Sequence, residues 1–174
     1  QKKICGRKQA VFMPIEKVVD TMEQALEYGY ESFLICFDPT PYDEGYYLEL
    51  FEKVRQRKLS CGMGFESWGL PTKRLVEEFG KTFLKETSYL ALSPETGSEE
   101  LRKLNKGFFY TNDELFQTMQ HIEDEGIPMI IYLTIGLATL IPSISIYVGS
   151  IPQFVEGTYA PDVYLWNIMI FLTW

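Results

Sequence analysis

Apolar residues recur along this chain with two different periods, and the period switches at regular intervals. Val18, Val19, Met22, Ala25 and Leu26 follow the spacing of one helix face, with Pro14 ahead of them and Gly29 behind as a stop. Ser32 to Phe37 is a short, nearly unbroken apolar run ending in Asp38-Pro39, the pattern of a strand buried on both faces and closed by a loop. Helical spacing returns over Tyr42 to Arg57, carried by Tyr47, Leu50, Phe51 and Val54. Leu59 to Phe65 reads as a strand in which Gly62 and Gly64 allow close approach of another group. A helix over Thr72 to Phe79 starts just after Pro71, and Ser88 to Leu92 is a further strand. Thr96 and Glu99 stand at capping-box spacing and predict a helix to Leu104. Thr111 and Glu114 repeat the device for a helix to Glu125, with Leu115, Phe116, Met119 and Ile122 on its apolar face. Pro128 to Ile135 is the next strand, closed by Gly136.

Strand and helix alternating at this rhythm predict an α/β fold of βαβ units with right-handed crossovers and a parallel sheet. Periodicity alone leaves open whether the sheet curls into a barrel. In either case chemistry belongs at the carboxyl ends of the strands. That selects the loops Asp38 to Tyr42, Glu66 to Leu70, Ser93 to Ser98 and Gly136 onward, together with the segment near Cys5.

Composition changes this picture in one place. The 174 residues are 46% hydrophobic and 23% charged, an ordinary globular balance that excludes a disordered chain. The formal net charge of −8 argues against a uniformly basic nucleic-acid surface, so no nucleic-acid partner is expected. All 16 Lys and Arg residues lie at or before Lys106, whereas from Ala138 to Trp174 the only charges are Glu156 and Asp162. Residues 1–137 therefore read as the working domain and 138–174 as an apolar, charge-poor tail, a last-strand region or an unrelated C-terminus. The tail's run from Tyr164 to Trp174 is shorter than the ~20 residues a spanning helix needs, and β-branched and aromatic residues dominate it. It predicts buried strands rather than a membrane span. Three cysteines suit a reducing cytoplasm better than a disulfide scaffold. Gln1-Lys2-Lys3 is not followed by an apolar stretch, and a chain opening on Gln1 reads as a processed product or a fragment.

The candidate chemistry concentrates at one strand end. In Leu92-Ser93-Pro94-Glu95-Thr96-Gly97-Ser98-Glu99 a hydroxyl, a carboxylate, a glycine turn and a helix start converge. Ser93 and Glu95 are suited to hydrogen-bond a diol such as a ribose, while the helix start and Arg102 are suited to a carboxylate. The competing reading is a capped helix whose Arg102 pairs with a neighbouring glutamate.

The stretch Ser93-Pro94-Glu95-Thr96-Gly97-Ser98-Glu99, with Arg102 and Lys106-Gly107, resembles the fourth-strand segment of radical S-adenosylmethionine (SAM) enzymes, in the branch that carries a cobalamin-binding domain before the barrel. Cys5-Gly6-Arg7-Lys8 resembles the end of that family's C-x3-C-x2-C loop. Phe37-Asp38-Pro39-Thr40-Pro41 resembles its second strand's end, and Ile131 to Leu137 its fifth strand, which borders the adenine. The resemblance implies a partial (β/α)6 TIM-like barrel of parallel strands with outer helices. It also implies a 4Fe-4S cluster with Cys5 as a metal ligand, and SAM held by Asp38 near the amine, Ser93 and Glu95 at the ribose, Arg102 at the carboxylate and Ile135 beside the adenine. Cobalamin would belong to the full-length parent. The implied activity is reductive cleavage of SAM that starts radical chemistry on an unknown, small-molecule substrate, with flavodoxin or ferredoxin as electron donor. Counting back from Cys5 by the family spacing puts Lys2 where the middle cysteine belongs, and after Leu137 the chain reads Ala138-Thr139-Leu140 instead of the family's Pro-Gly-Glu. A cluster-less barrel that only binds SAM, a nucleotide or a partner is the alternative; a membrane-associated protein anchored by the tail is another.

The remaining candidates carry less chemistry. Cys36 and Cys61 lie within apolar strand patterns, where small buried thiols are usual. His121, the single histidine, sits on a helix between Met119 and Ile122. Glu66, Ser67 and Trp68 end a strand and are placed to line a substrate cavity, and Lys53, Arg55, Arg57 and Lys58 complement a helix C-terminus. Neither G-x-x-x-x-G-K-[ST] nor H-E-x-x-H occurs, which excludes P-loop and zincin chemistry.

Overall fold

The computed structural model describes residues 12–38, 44–105, 109–135, 144–149 and 170–172. In chain order these form α1 (Ile15–Glu27), β1 (Ser32–Asp38), α2 (Glu44–Gln56), β2 (Gly62–Ser67), α3 (Lys73–Thr82), a 3-10 turn (Lys85–Thr87), β3 (Tyr89–Glu95), α4 (Glu99–Asn105), α5 (Asn112–Asp124), β4 (Met129–Ile135), β5 (Ile144–Gly149) and β6 (Ile170–Leu172). All six strands belong to one sheet in sequential order. The first four run parallel.

Alternation along the strands divides the sheet into two chemically different faces. Met63, Phe65, Leu90, Leu92, Met129 and Ile131 turn to the helices and enter one apolar core with Val19, Phe51, Phe79 and Ile122. Phe51 stands at the centre of that core, edge-on to Phe83 at 5.2 Å, Phe79 at 5.9 Å and Phe65 at 6.5 Å. Residues of the other parity share the opposite face in register: Leu34 beside Gly64, Glu66 beside Ala91, and Ala91 beside Ile130. That face is small in its middle and polar toward the strand ends. A Cβ on Gly64 would stand 2.6 Å from the Tyr89 ring, and one on Gly62 would strike the Thr87 carbonyl, so both glycines are required by close approach. A four-stranded parallel sheet with its apolar face packed on flanking helices is the architecture of a partial TIM-like barrel.

Four expectations change. The predicted parallel alternation stops after β4: β5 pairs antiparallel with β4, and β6 antiparallel with β5. Only eight residues separate Ile135 from Ile144, and a parallel crossover needs about a dozen or more, so the short connection permits the antiparallel partner instead. β1 is not buried on both faces, since Leu34 is 54% exposed and Cys36 is exposed; the strand lies at the edge of the described sheet, and among the described residues its second face meets no helix core. β2 begins at Gly62 because Leu59 closes the end of α2, its N–H donating to the Val54 carbonyl at 3.1 Å. α4 begins at Glu99, capped by the Ser98 hydroxyl, which accepts from the Leu101 N–H at 3.3 Å. Thr96 instead accepts from the Ser98 N–H, and Glu99 accepts from the Asn112 N–H at 2.6 Å, so the predicted Thr96–Glu99 capping box does not form. The second box does form: Thr111 and Glu114 exchange both hydrogen bonds at the start of α5.

Candidate functional site

Parallel strands point their carboxyl ends the same way, and four of them converge here on one rim. Along that rim, β3 departs from regular geometry. Its pairing with β4 shifts between Leu92 and Glu95, so that Glu95 rather than its neighbour lies opposite Leu133. Glu95 has φ +65°, a left-handed conformation that costs a residue with a Cβ about 1–2 kcal/mol. The Thr96 N–H donates to the Pro94 carbonyl at 2.7 Å, closing a three-residue γ-turn of the rarer hand around Glu95. The bulge and turn bring the Glu95 carboxylate to the Thr134 hydroxyl, which donates to Oε2. On the next pair of strands the Tyr132 hydroxyl donates to Glu66 Oε1 at 2.9 Å. Ala91 lies between the two strands, and its single methyl leaves the bridge room to pass. Ser93 shares the parity of Ala91 and is half-buried. A hydroxyl, two carboxylates, a phenol and a second hydroxyl therefore line one short stretch of the rim.

Behind this rim sits Arg102, fully buried on α4. Its Nε donates to the Pro94 carbonyl at 3.3 Å, Nη1 to the Tyr110 carbonyl at 2.8 Å, and Nη2 to the Thr96 carbonyl at 2.7 Å and to Asn112 Oδ1 at 2.8 Å. The guanidinium also lies 4.8 Å from the centre of the Tyr110 ring. Burial pushes the Tyr110 phenol up to about 12, against the opposing pull of the Arg102 charge and with a further push from Glu95. The hydroxyl of Tyr110 donates to the Ser93 carbonyl at 3.4 Å, tying the same loop from another side. Among the described residues, Arg102 thus meets three carbonyls and the Asn112 amide oxygen, and no glutamate pairs with it.

Of the other expected site residues, Asp38 closes β1 and Ile135 closes β4, both on the same rim, with side chains outside the described residues. Cys5, Pro39 to Tyr42, Lys106-Gly107 and residues 136–143 also lie outside them. Of the predicted cavity residues, Glu66 joins the rim's polar group. Ser67 is buried on the helix side and its hydroxyl donates to the Gly69 carbonyl at 2.9 Å, while Trp68 is 48% exposed. Arg57 and Lys53 are taken by carboxylates of α1, Arg57 reaching Glu16, Asp20 and Glu23 and Lys53 reaching Glu16. His121 is half-buried and lines a hollow of about 350 Å³ between the 69–73 segment and α5. Tyr132 and Thr134 were missed as polar rim residues. The signal was present in Ile130-Tyr132-Thr134, whose parity opposes the apolar Met129-Ile131-Leu133 set.

The described thiols do not fit an iron–sulfur cluster. Cys61 is buried just before the amino end of β2, opposite the rim, and burial pushes its thiol up to about 11. Cys36 is exposed on β1. Among the described residues no group of three His, Cys, Asp or Glu side chains is arranged to hold a metal ion. Among them, too, no helix is long and apolar enough to cross a membrane.

The profile of the Radical SAM superfamily matches residues 2–142. No curated protein matches the chain. Solved structures that resemble it include pyridoxal kinase from Staphylococcus aureus in complex with AMP-PCP and pyridoxal, at 14% identity and a TM-score of 0.40, covering 81% of this chain and 50% of that one. The same kinase with AMP-PCP gives 14% identity, a TM-score of 0.38, and coverage of 79% and 49%. The chain spans about half the length of these structures. Likenesses this loose carry no argument about chemistry.

Proposed function

The chain belongs to the Radical SAM superfamily, and from that premise we propose that the polar rim at the carboxyl ends of β1 to β4 is a SAM-binding surface. The observation that carries this reading is the left-handed turn that delivers Glu95 to the rim beside Ser93, where the pair offers an acceptor and a hydroxyl to a ribose diol. Strain of that kind persists only where surrounding contacts over-determine it, and it concentrates at ligand-holding positions. Asp38 at the end of β1 is assigned to the amine and Ile135 at the end of β4 to the adenine edge; Arg102 holds the loop and is not assigned to the carboxylate. On this reading the reaction class of the parent protein is reductive SAM cleavage, which starts radical chemistry on a small molecule with a flavodoxin or ferredoxin as donor.

A second reading, a barrel that binds SAM without a cluster, is favoured by Lys2, which occupies the middle cysteine position counted back from Cys5. Two measurements separate the possibilities. Equilibrium dialysis with labelled SAM should show saturable binding, weakened about tenfold or more in Glu95→Gln, since a charge-assisted hydrogen bond is lost. No binding by the native chain overturns both readings. Anaerobic treatment with iron and sulfide should produce visible cluster absorption and, on reduction, 5′-deoxyadenosine if the enzyme reading holds. A colourless protein that still binds SAM decides for the second.

A further inference from the structure

We propose that Arg102 is a positioning residue for Glu95: its guanidinium clamps the carbonyls on either side of that residue and holds the strained turn that aims the carboxylate at the rim. The inference rests on the SAM-binding reading for its purpose, but its geometry stands alone. Nε reaches the Pro94 carbonyl and Nη2 the Thr96 carbonyl, at 3.3 and 2.7 Å, so one rigid planar group spans the γ-turn from its first residue to its last. The turn's own hydrogen bond runs between those same two residues. The other donors are anchored outside it, on the Tyr110 carbonyl and on Asn112 Oδ1 at the start of α5. The clamp is therefore fixed to the 110–112 segment at the start of α5, which also ties the loop through the Tyr110 hydroxyl on the Ser93 carbonyl and the Asn112 amide on the Gly97 carbonyl. A fully buried guanidinium is expensive unless its donors are satisfied, and satisfying them with these carbonyls makes the left-handed Glu95 the arrangement in which the buried charge is best hydrogen-bonded. Lysine carries the same charge but presents it as a single compact group on a flexible stem, and it cannot hold both flanking carbonyls in one plane.

The test compares native protein, Arg102→Lys, Glu95→Gln and the double variant, with Asn112→Ala as a milder perturbation that keeps the guanidinium and removes one anchor. Two readouts are taken: the dissociation constant for SAM, and hydrogen exchange of the Thr96 amide in the absence of ligand. Arg102→Lys should speed Thr96 exchange and weaken SAM binding, each about tenfold, while adding little to the loss already caused by Glu95→Gln. Asn112→Ala should move both readouts in the same direction by less. A merely structural arginine would lower stability while leaving SAM affinity unchanged, or would weaken binding equally in both backgrounds; either result overturns the inference, as does unchanged Thr96 exchange. If Arg102→Lys fails to fold, Asn112→Ala decides by the same two readouts. If the native protein binds no SAM, the proposed function falls, and Thr96 exchange alone still decides whether the clamp exists.

Discussion

Cys36 and Cys61 looked alike in the sequence, each set in an apolar strand pattern, and the structure makes them opposites. Cys36 stands on a face of β1 that meets no helix core among the described residues, whereas Cys61 is fully buried beneath the helices. Local pattern carries parity but not which face is covered, because covering is decided by elements distant in the chain. The same limit applied to Arg102, whose position near the strand end was legible but whose burial was not. Glu95 was legible as a site residue from its company, Pro94 before it and Gly97 after. Its left-handed φ was hidden, since turn chemistry leads one to expect a glycine there. Iodoacetamide should modify Cys36 in the native protein and spare Cys61 until denaturant is added, with peptide mass mapping as the measurement. Cys61 also makes a pH prediction. Its pKa rises from 9.0 to about 11 on folding, so above pH 9 the unfolded chain loses this proton first and the folded state loses stability as pH climbs toward 11. Urea midpoints should hold below pH 9 and fall from pH 9 to 10, and Cys61→Ala should flatten that fall. A slope unchanged by Cys61→Ala would remove the thiol from the explanation.

At the scale of elements, the hydrophobic period located α1, α2 and α5, Pro71 marked α3 and a capping-box spacing marked α4, and the ends were less certain because caps compete. Thr96 and Ser98 both offer a hydroxyl ahead of acidic residues, and the choice fell to Ser98 once the γ-turn had drawn Thr96 into the loop. Helix C-termini follow one rule three times. α1, α2 and α5 each end with paired hydrogen bonds of the Schellman kind, as in Tyr30 N–H to Ala25 and Gly29 N–H to Leu26, at 3.1 and 3.0 Å. The left-handed residue is Gly29 in the first and Gly126 in the last, but Lys58 in the second, at φ +56°. Two of the three stops were thus glycines of the kind a sequence advertises, and the third was not. Lys58→Gly should stabilise the protein by up to about 1 kcal/mol, because it removes the steric cost of a Cβ at that dihedral, offset in part by a more flexible unfolded chain. In thermal unfolding this corresponds to a rise of roughly 2–4 °C for a chain of this size. A lower melting temperature would mean that the lysine side chain contributes more at this corner than its backbone costs.

The whole molecule joins a well-packed apolar face to a polar rim, and the division explains what a ligand should do to it. Alternation of strands and helices was readable up to β4, where regular crossovers stop and the eight-residue connection to β5 turns the sheet antiparallel. The polar residues of the candidate site lie on β1 to β4, and the register carries the same edge on through Ile144 of β5 and Leu172 of β6. Stabilisation by the core, centred on Phe51, acts through the face that turns away from the rim. A ligand on the rim would contact instead the Glu95 turn, the Glu66–Tyr132 pair and the strand ends. A ligand that binds only the folded state at a concentration a hundredfold above its dissociation constant contributes about 2.7 kcal/mol, or roughly 5–10 °C in melting temperature here. SAM should produce such a shift, adenosine a smaller one, and 2′,3′-dideoxyadenosine less still, because the Ser93 and Glu95 contacts require the diol. In Glu95→Gln the difference between adenosine and its dideoxy form should collapse, even where some binding survives through the adenine. Equal shifts from the two nucleosides in the native protein would detach the ribose from Glu95 and send the search for its partner to the Glu66–Tyr132 side of the rim.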